Sequence, residues 1–481
     1  MARRDYNTIV IGAGSAGLVS AYISAAVKAR VALIEKHRMG GDCLNTGCVP
    51  SKALIRSTKI LSYIRNHRKY GIRSATTEFD FAEIMERVQG IIGKVEPHDS
   101  VERYTGLGVD CFTGEARILS PHEVRVNGKV LTTQNIIVAT GAKPAIPPIS
   151  GLDKVHFLTT DTIWDLRELP RRLVIAGGGP IGCELAQCFA RLGSQVTQVE
   201  MFPALLARED EEISEAIFQT FTHEGIDVRL SSRCREIVVE NGRKFMEVEK
   251  TGGTVERIEF DQVLIAVGRA ANAKGFGLEE IGVRLTPRGT IEVDEYLRTT
   301  THKNIYACGD VAGPYQFTHT AAHQAWYCAV NALFSPFKKF RVDYRVIPWC
   351  TFTDPEVARV GLNEKEAREK NIPFEVTRYG IDDLDRAIAD GEDRGVVKVL
   401  TEPGKDRILG VTIMGYHAGD LLAEYVAAMK HGLGLEKILS TVHIYPTMAE
   451  ANKFAAGEWK RAHVPQGLLR WVKKFHAWRR G

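Results

Sequence analysis

Two cysteines followed by a lysine are the residues of this sequence best suited to thiol chemistry. Cys43 and Cys48 lie in the run GGDCLNTGCVPSK with four residues between them, and Lys52 follows Cys48 by four residues. A thiolate near a helix N-terminus and a cation has a pKa below the ~8.5 of a free cysteine. Such a thiolate is a competent nucleophile and electron donor at neutral pH. We therefore expect Cys43 and Cys48 to form a reactive pair.

A second pair, Cys183 and Cys188, has the same spacing but a different context. It lies in the apolar run CELAQC, which has a helical pattern. Five residues of a regular helix turn through about 500°, so the two side chains point to different faces. We expect both to be buried residues without chemistry.

Two stretches have the pattern of a nucleotide-binding βαβ unit, with an apolar strand, a G-x-G-x-x-G turn, a helix and a second strand that ends in glutamate. The first contains Gly12, Gly14, Gly17 and Glu35, and the second contains Gly177, Gly179, Gly182 and Glu200. The glycines permit a tight turn that lets the backbone approach a pyrophosphate at the helix N-terminus, and the acid accepts hydrogen bonds from the ribose. The sequence therefore predicts two bound dinucleotides.

The acid of the second unit also bears on the choice of nicotinamide nucleotide. The carboxylate of Glu200 suits the free 2′-hydroxyl of NADH and repels the 2′-phosphate of NADPH. The sequence therefore favours NADH.

Length, charge and cysteine usage exclude several classes of protein. A chain of 481 residues is too long for one ordinary core and predicts about three domains. The formal net charge of +4 is too small to indicate nucleic-acid binding by the whole chain. Nine scattered cysteines do not form the pattern of a small secreted disulfide protein, so we expect a cytoplasmic location.

The uncharged stretch from Asn7 to Val27 has the length of a signal peptide or a membrane span. Gly12, Gly14 and Gly17 interrupt it where a membrane helix would continue. A buried strand and a nucleotide-binding turn are therefore the favoured interpretation.

Several motifs in one order resemble the class I pyridine nucleotide-disulfide oxidoreductases, which include dihydrolipoamide dehydrogenase, glutathione reductase and mercuric reductase. The likeness covers roughly residues 5 to 460. The motifs that carry it are GGDCLNTGCVPSK, ATG at Ala139–Gly141, AVGRAANAKGFGLE and IYACGD. The resemblance implies an enzyme that passes electrons from a nicotinamide nucleotide through FAD to a redox-active disulfide.

The resemblance also implies roles for individual residues. Cys43 is implied to be the interchange thiol that meets substrate, and Cys48 the charge-transfer thiol beside the flavin. Lys52 is implied to lie near flavin N5, paired with Glu184, and Asp310 to hydrogen-bond the flavin ribityl chain. The matching motifs add Thr140, Gly141, Gly268 and Arg269 as cofactor-binding positions.

The fold that the resemblance implies is α/β, with two Rossmann-type domains and a C-terminal α+β dimerisation domain. We expect a homodimer. The expected boundaries are 1–150 and 281–343 for the FAD domain, 151–280 for the NAD domain, 344–461 for the dimerisation domain and 462–481 for a tail.

The sequence departs from most of this family at the catalytic base. Tyr445 occupies the position of the histidine that precedes Pro-Thr, and Glu450 is the glutamate that orients it. An unperturbed tyrosine has a pKa of ~10, against ~6.5 for histidine, so Tyr445 is a poor base at neutral pH. The usual dihydrolipoamide chemistry is therefore in doubt. His443 is a candidate substitute, but a structural role is favoured for it.

The departure points to other electron acceptors. Mercuric reductases also carry tyrosine at this position, and a phenol beside thiolates suits a soft metal ion as a ligand or proton donor. The sequence has no cysteine after Cys350 and no C-x-x-C motif before the first glycine turn, so we expect it to lack the Hg(II) delivery route of those enzymes. We expect reduction of a disulfide, a soft metal ion or a quinone, and no bound metal of its own.

Two alternatives stay open. One is a flavin NADH dehydrogenase or diaphorase with a quinone acceptor, in which the thiols are not required. The other is an FAD redox sensor without turnover.

The C-terminal segment 466–480 has the pattern of an amphipathic basic helix. One face is predicted to carry Leu468, Trp471, Val472, Phe475 and Trp478, and the other Arg470, Lys473, Lys474, Arg479 and Arg480. Such a helix either lies on an anionic membrane surface or docks its apolar face on the protein or its dimer partner.

Overall fold

The computed structural model describes residues 3–335 and 337–481 and divides them into two compact units. The first contains the chain up to Ser62, Thr76–Pro203 and Glu224–Asp343, and the second contains Tyr63–Ala75, Ala204–His223 and Tyr344–Gly481.

A seven-stranded sheet organises the first nucleotide-binding region of the first unit. Its order is Val109–Thr113, Val31–Glu35, Tyr6–Ile11, Lys129–Val138, Glu123–Val126 and Arg117–Ser120, and Ile305–Ala307 also pairs with Lys129–Val138. Val109–Thr113, Val31–Glu35, Tyr6–Ile11, Lys129–Val138 and Ile305–Ala307 pair in parallel, whereas Glu123–Val126 is antiparallel to Lys129–Val138. Strands Val31–Glu35 and Ile305–Ala307 consist mainly of buried apolar residues, because parallel strands are covered on both faces. Helices Ser15–Ala26 and Thr318–Phe334 pack together beside this sheet.

A four-stranded parallel sheet forms the second nucleotide-binding region, in the order Asp227–Arg229, Gln195–Val199, Arg172–Ala176 and Gln262–Ile265. Helix Pro180–Leu192 connects its first two strands in the chain. The remaining strands of the unit are Ser232–Glu240, Arg243–Lys250 and Val255–Phe260 in one antiparallel sheet, and Ala142–Pro144 with Arg269–Ala271 in another. The predicted α/β class with two Rossmann-type regions is confirmed.

Four further α-helices lie before residue 170: Gly41–Asn45, Cys48–Arg65, Phe81–Val95 and Val101–Gly106. Four short 3-10 helices lie in the same part of the chain: His67–Tyr70, Glu96–Asp99, Leu152–Lys154 and Ile163–Asp165.

Both glycine turns require glycine for a close backbone approach. Gly12 has φ +97° and Gly177 has φ +120°. A Cβ at Gly12 would lie 2.4 Å from the Ala139 oxygen, and a Cβ at Gly177 would lie 2.4 Å from the Ala266 oxygen. Any larger residue would force the two loops of each turn apart.

The second unit is built on a five-stranded antiparallel sheet. Its order is Pro348–Thr351, Glu356–Gly361, Ile408–Gly415, Val396–Thr401 and Glu375–Gly380. Its helices are Glu211–His223, Glu364–Glu369, Asp385–Asp390, Ala418–His431, Leu435–Ser440, Glu450–Ala462 and Gln466–Arg479, with a 3-10 turn at Ile381–Asp383. One apolar core joins the sheet to helices Asp385–Asp390, Ala418–His431, Leu435–Ser440 and Glu450–Ala462, with Val397, Val411 and Tyr425 fully buried. This is the α+β domain that the resemblance implied.

A buried lysine lies among three carboxylates in the second unit. Lys398 Nζ is 2.6 Å from Asp210, 2.5 Å from Glu212 and 2.6 Å from Glu364. Its side chain is almost fully buried. The ammonium offsets the charge of the carboxylates, so this cluster is a structural ion-pair network.

Helix Gln466–Arg479, which we call the tail helix, was predicted with its basic residues opposite its apolar face. For Arg479 this prediction was wrong. The Arg479 guanidinium lies 5.9 Å from the centre of the Phe475 ring, because residues four apart share a helix face. Within the described residues, no helix is both long and apolar enough to span a lipid bilayer.

Candidate active site

Short helical segments position the two reactive cysteines. Cys43 lies within helix Gly41–Asn45, and Cys48 is the first residue of helix Cys48–Arg65. Gly47 permits this connection, because a Cβ there would lie 2.9 Å from the Asp42 oxygen. Cys48 is exposed and Cys43 is half-buried, and both are free thiols in this structure. The helix N-terminus favours negative charge on Cys48.

The two thiols differ in acidity because one donates a hydrogen bond to the other. The hydrogen bond from Cys43 is the main cause that lowers the pKa of Cys48 to about 5, with help from Thr318 and the charge of Lys52. The same hydrogen bond and burial raise the pKa of Cys43 above its usual range. At neutral pH the reduced pair therefore consists of a Cys48 thiolate and a Cys43 thiol.

Thr318 is a second partner of Cys48 that sequence reasoning missed. Its Oγ1 lies 3.5 Å from the Cys48 Sγ. Thr318 begins helix Thr318–Phe334, 270 residues after Cys48 in the chain, so no local spacing indicates the contact.

A partly buried ion pair joins the cysteine helix to the second nucleotide-binding region. Lys52 Nζ donates to Glu184 Oε2 over 2.8 Å, and Glu184 is buried in helix Pro180–Leu192. A lysine held in this way keeps its charge near the Cys48 thiolate. Cys183 and Cys188, on the same helix, are both buried, and burial raises the pKa of Cys188 to about 12.

The acids of the two βαβ units, Glu35 and Glu200, make the same kind of hydrogen bond to the backbone. Glu35 accepts the Ala13 N–H over 2.6 Å, and Glu200 accepts the Gly178 N–H over 2.5 Å. Each acid thereby ties the end of its second strand to the glycine turn. Both carboxylates retain lone pairs for ribose hydroxyls.

The turns themselves have the open backbone that a pyrophosphate needs. A Cβ at Gly179 would meet no atom within 4 Å, and one at Gly14 would come no closer than 3.8 Å to the Gly41 Cα. Each of the two glycine turns has an acid at the end of the following strand. The residues therefore fit FAD at one βαβ unit and a nicotinamide nucleotide at the other.

The remaining cofactor positions are connected by polar contacts. Arg269 lies between two acids, with its Nε 3.4 Å from Asp310 and its Nη2 paired with Asp42. Burial raises the pKa of Asp310, and the Arg269 charge opposes this shift. Asp42 was not predicted from the sequence, although it directly precedes Cys43.

Hydrogen bonds also fix the loop that contains Thr140 and Gly141. Thr140 Oγ1 donates to the Asn272 oxygen over 2.7 Å, and Asn272 Nδ2 donates back to the Thr140 oxygen over 3.0 Å. Gly141 and Gly268 have positive φ of +66° and +130°, which glycine adopts without strain.

In the second unit, Tyr445 lies at the position of the family base. Its hydroxyl donates to Asp385 Oδ2 over 3.0 Å, and this hydrogen bond raises the pKa of Tyr445 above its usual value. Glu450 is buried and accepts the Thr447 N–H over 3.4 Å. The phenol therefore stays protonated at neutral pH and is suited to donate a proton.

His443 has a structural environment. Its Nε2 lies 3.0 Å from Glu424, and its side chain is only 7% exposed. Asn452 donates to the same carboxylate over 2.9 Å. A histidine held by a buried network in this way is poorly placed to serve as a mobile base.

Two family models match this chain. The model described as pyridine nucleotide-disulphide oxidoreductase matches residues 6–325, and the model described as the dimerisation domain of the same family matches residues 347–456.

Curated relatives match nearly the whole chain. A mercuric reductase of Staphylococcus aureus is 34% identical over 94% of this chain and 82% of its own length. A dihydrolipoyl dehydrogenase of Chlamydia muridarum is 34% identical over 92% of this chain and 95% of its own length.

Among solved structures, the Cu(II) complex of the HOCl-induced flavoprotein disulfide reductase RclA from Escherichia coli is similar. It matches with a TM-score of 0.83 and 27% identity, over 93% of this chain and 98% of RclA.

Proposed function

This chain belongs to the pyridine nucleotide-disulphide oxidoreductase family and is an FAD-dependent disulfide oxidoreductase, and we propose that it passes electrons from NADH through Cys43 and Cys48 to a soft metal ion or a small disulfide. The observation that carries this proposal is the unequal pair of thiols, with Cys48 as a thiolate that accepts a hydrogen bond from Cys43. When bound, FAD supplies a carrier that takes the hydride from NADH and delivers an electron pair to the cysteine disulfide.

The residues proposed to hold FAD are those of the first glycine turn, with Glu35 on the ribose and Asp310 on the ribityl chain. Lys52 is proposed to place a positive charge beside the flavin, because Glu184 fixes its direction. Thr140, Gly141, Gly268 and Arg269 complete the proposed cofactor contacts.

NADH is the proposed electron donor. Glu200 directly follows the second strand of the second βαβ unit, where a carboxylate disfavours a 2′-phosphate. The next three residues, Met201, Phe202 and Pro203, provide no cation to bind such a phosphate.

The two thiols supply the two electrons that reduce a substrate disulfide. As Cys43 attacks one sulfur of the substrate disulfide, its proton moves to the Cys48 thiolate along the existing hydrogen bond, and the leaving thiolate takes a proton from the site. Cys48 then attacks the Cys43 sulfur of the mixed disulfide, and the proton that Cys48 received passes to the leaving sulfur, which releases the second thiol. The two cysteines end as a disulfide, and the substrate gains two electrons and two protons.

The protonated Tyr445 supports acceptors that need no base. Dihydrolipoamide oxidation requires a group that removes a proton from the incoming thiol, whereas disulfide reduction requires a proton donor. A soft metal ion such as Hg(II) or Cu(II) is bound by thiolate ligands, and its binding needs no group that removes a proton from the substrate. The names of two similar proteins, mercuric reductase and the Cu(II) complex of RclA, support this class of acceptor.

An anaerobic titration tests the electron path. NADH added to the FAD-loaded protein is expected to produce a long-wavelength thiolate-to-flavin absorption, followed by turnover with Hg(II), Cu(II) or a small disulfide. Cys43→Ser is expected to abolish acceptor turnover, whereas Cys111→Ser, at a half-buried cysteine outside the pair, is expected to retain it. Full turnover in Cys43→Ser with a quinone would identify the enzyme as a diaphorase and contradict the thiol path.

A further inference from the structure

The tail helix exposes an aromatic surface to solvent. No residue of Gln466–Arg479 is buried, and Trp471 and Trp478 are 62% and 76% exposed. The Trp471 and Phe475 rings stack with centres 5.7 Å apart, and Phe475 lies 6.1 Å from Trp478. Leu468, three residues before Trp471, extends the same apolar side and is 54% exposed. Contiguous exposed apolar surface of this kind indicates a docking face.

The charge of the same segment indicates what docks there. No acidic residue occurs between Glu458 and Gly481. Arg470, Lys473, Lys474 and Arg480 are exposed, and within the described part of the chain none of them forms an ion pair with an acid. A surface that combines interfacial tryptophans with unpaired basic residues is complementary to an anionic lipid headgroup layer.

Arg479 fits the same arrangement despite lying on the aromatic side. It is at the end of the helix, and a long arginine side chain can cover an aromatic ring while its guanidinium reaches the headgroups.

We propose that the tail helix is a peripheral membrane anchor that lies in the headgroup region of an anionic bilayer, with Trp471, Phe475 and Trp478 inserted. A second copy of the chain is a less suitable occupant of this face, because two tail helices would bring together basic residues without an acid between them. The family model for the dimerisation domain matches residues 347–456, so the tail helix lies outside the matched segment. The proposal is independent of the electron acceptor.

Vesicle sedimentation of the FAD-loaded full chain tests this proposal. The probes are vesicles of phosphatidylcholine alone and vesicles that also contain phosphatidylglycerol. Binding to the anionic vesicles is expected to exceed binding to the neutral ones by about tenfold or more and to weaken with added salt. Equal binding to both kinds of vesicle, or to neither, would overturn the proposal.

Matched variants separate the tail helix from general surface effects. Trp471→Ala with Trp478→Ala, and separately Lys473→Glu with Lys474→Glu, are each expected to reduce anionic binding by about tenfold or more. Phe337→Ala removes another highly exposed aromatic side chain, and Lys129→Glu with Lys154→Glu changes the net charge by the same amount. Both controls are expected to leave binding unchanged, and an equal loss in either control would contradict the assignment to the tail helix.

Further measurements distinguish a membrane from other partners that could bind the exposed face of the tail helix. NADH-dependent turnover without vesicles is expected to be the same in the tryptophan variant and the parent protein, which shows that the variant is folded. Light scattering is expected to give the same oligomeric state for both. A smaller oligomer in the tryptophan variant would assign this face to a second copy of the chain. Loss of vesicle binding when nucleic acid is added at unchanged salt would assign the face to nucleic acid.

Discussion

The Tyr445 hydroxyl donates a hydrogen bond to Asp385 across 3.0 Å, and this contact determines the chemistry available at the position of the family base. An aspartate next to a phenol favours the protonated form, because ionisation would place two negative charges together. We therefore expect Tyr445 to donate a proton at a position where most of the family is expected to carry a base.

Tyr445→His is expected to give dihydrolipoamide oxidation activity that the parent protein has only weakly. Histidine has an unperturbed pKa of ~6.5, and Asp385 would favour its protonated form, so the gain is expected to increase towards alkaline pH. The measurement is dihydrolipoamide-dependent NAD⁺ reduction across pH. The control is Tyr445→Phe, which removes the hydroxyl without adding a base and should show no gain. Equal activity in the phenylalanine and histidine variants would contradict this role.

Asp385→Asn is expected to lower the pKa of Tyr445, because the amide removes the neighbouring negative charge. The alkaline limb of acceptor turnover is then expected to move to lower pH, since the phenol loses its proton earlier. The measurement is kcat against pH with a small disulfide as acceptor. A profile identical to that of the parent protein would show that Tyr445 does not supply the proton.

The acidity of Cys48 is expected to depend mostly on Cys43. The thiolate absorption of the reduced enzyme should persist as pH falls and disappear near pH 5, where Cys48 takes a proton. Cys43→Ala removes the largest cause of the low pKa, so the midpoint should move to higher pH, and Thr318→Val should move it in the same direction by less. Cys188→Ala is the matched control on a buried cysteine. A midpoint that is unchanged in Cys43→Ala would refute the hydrogen-bond explanation.

Glu200 is expected to control the choice between NADH and NADPH. Glu200→Gln keeps an oxygen that can accept the Gly178 N–H but removes the charge that opposes a 2′-phosphate. The ratio of kcat/KM for NADH to that for NADPH is expected to fall by about tenfold, equivalent to about 1.4 kcal/mol. Glu249→Gln changes a carboxylate on the central strand of the separate three-stranded antiparallel sheet and should leave the ratio unchanged. A ratio that stays constant in Glu200→Gln would assign the preference to other residues.

Local patterns and distant contacts differ in how well the sequence predicts them. Glu35 and Glu200 could be assigned to their glycine turns because strand, turn and helix lie within one short stretch, and their parallel contacts with Ala13 and Gly178 follow from the shared βαβ geometry. The pair of Lys52 and Glu184, 132 residues apart, came only from the family resemblance.

The contacts that the sequence did not predict depend on tertiary structure. Thr318 and Cys48 are 270 residues apart, and Asp385 and Tyr445 are 60 apart, so neither pair has a spacing that indicates contact. Arg479 was assigned to the wrong face, because the helical period places it one turn after Phe475. The domain boundaries expected from the sequence stay predictions.

Lys398 is expected to contribute to the stability of the second unit. Lys398→Met removes the ammonium and leaves Asp210, Glu212 and Glu364 close together, with two of the three carboxylates largely buried. Loss of one partner from a buried ion-pair network typically costs about 3–5 kcal/mol, because the remaining charges lose their compensation. The free energy of unfolding, measured by urea denaturation, is therefore expected to fall by that order. Lys398→Met combined with Glu364→Gln and Glu212→Gln should recover part of the loss, since fewer negative charges then remain. A triple variant no more stable than Lys398→Met would show that packing around the lysine stem, rather than charge compensation, is what Lys398 contributes.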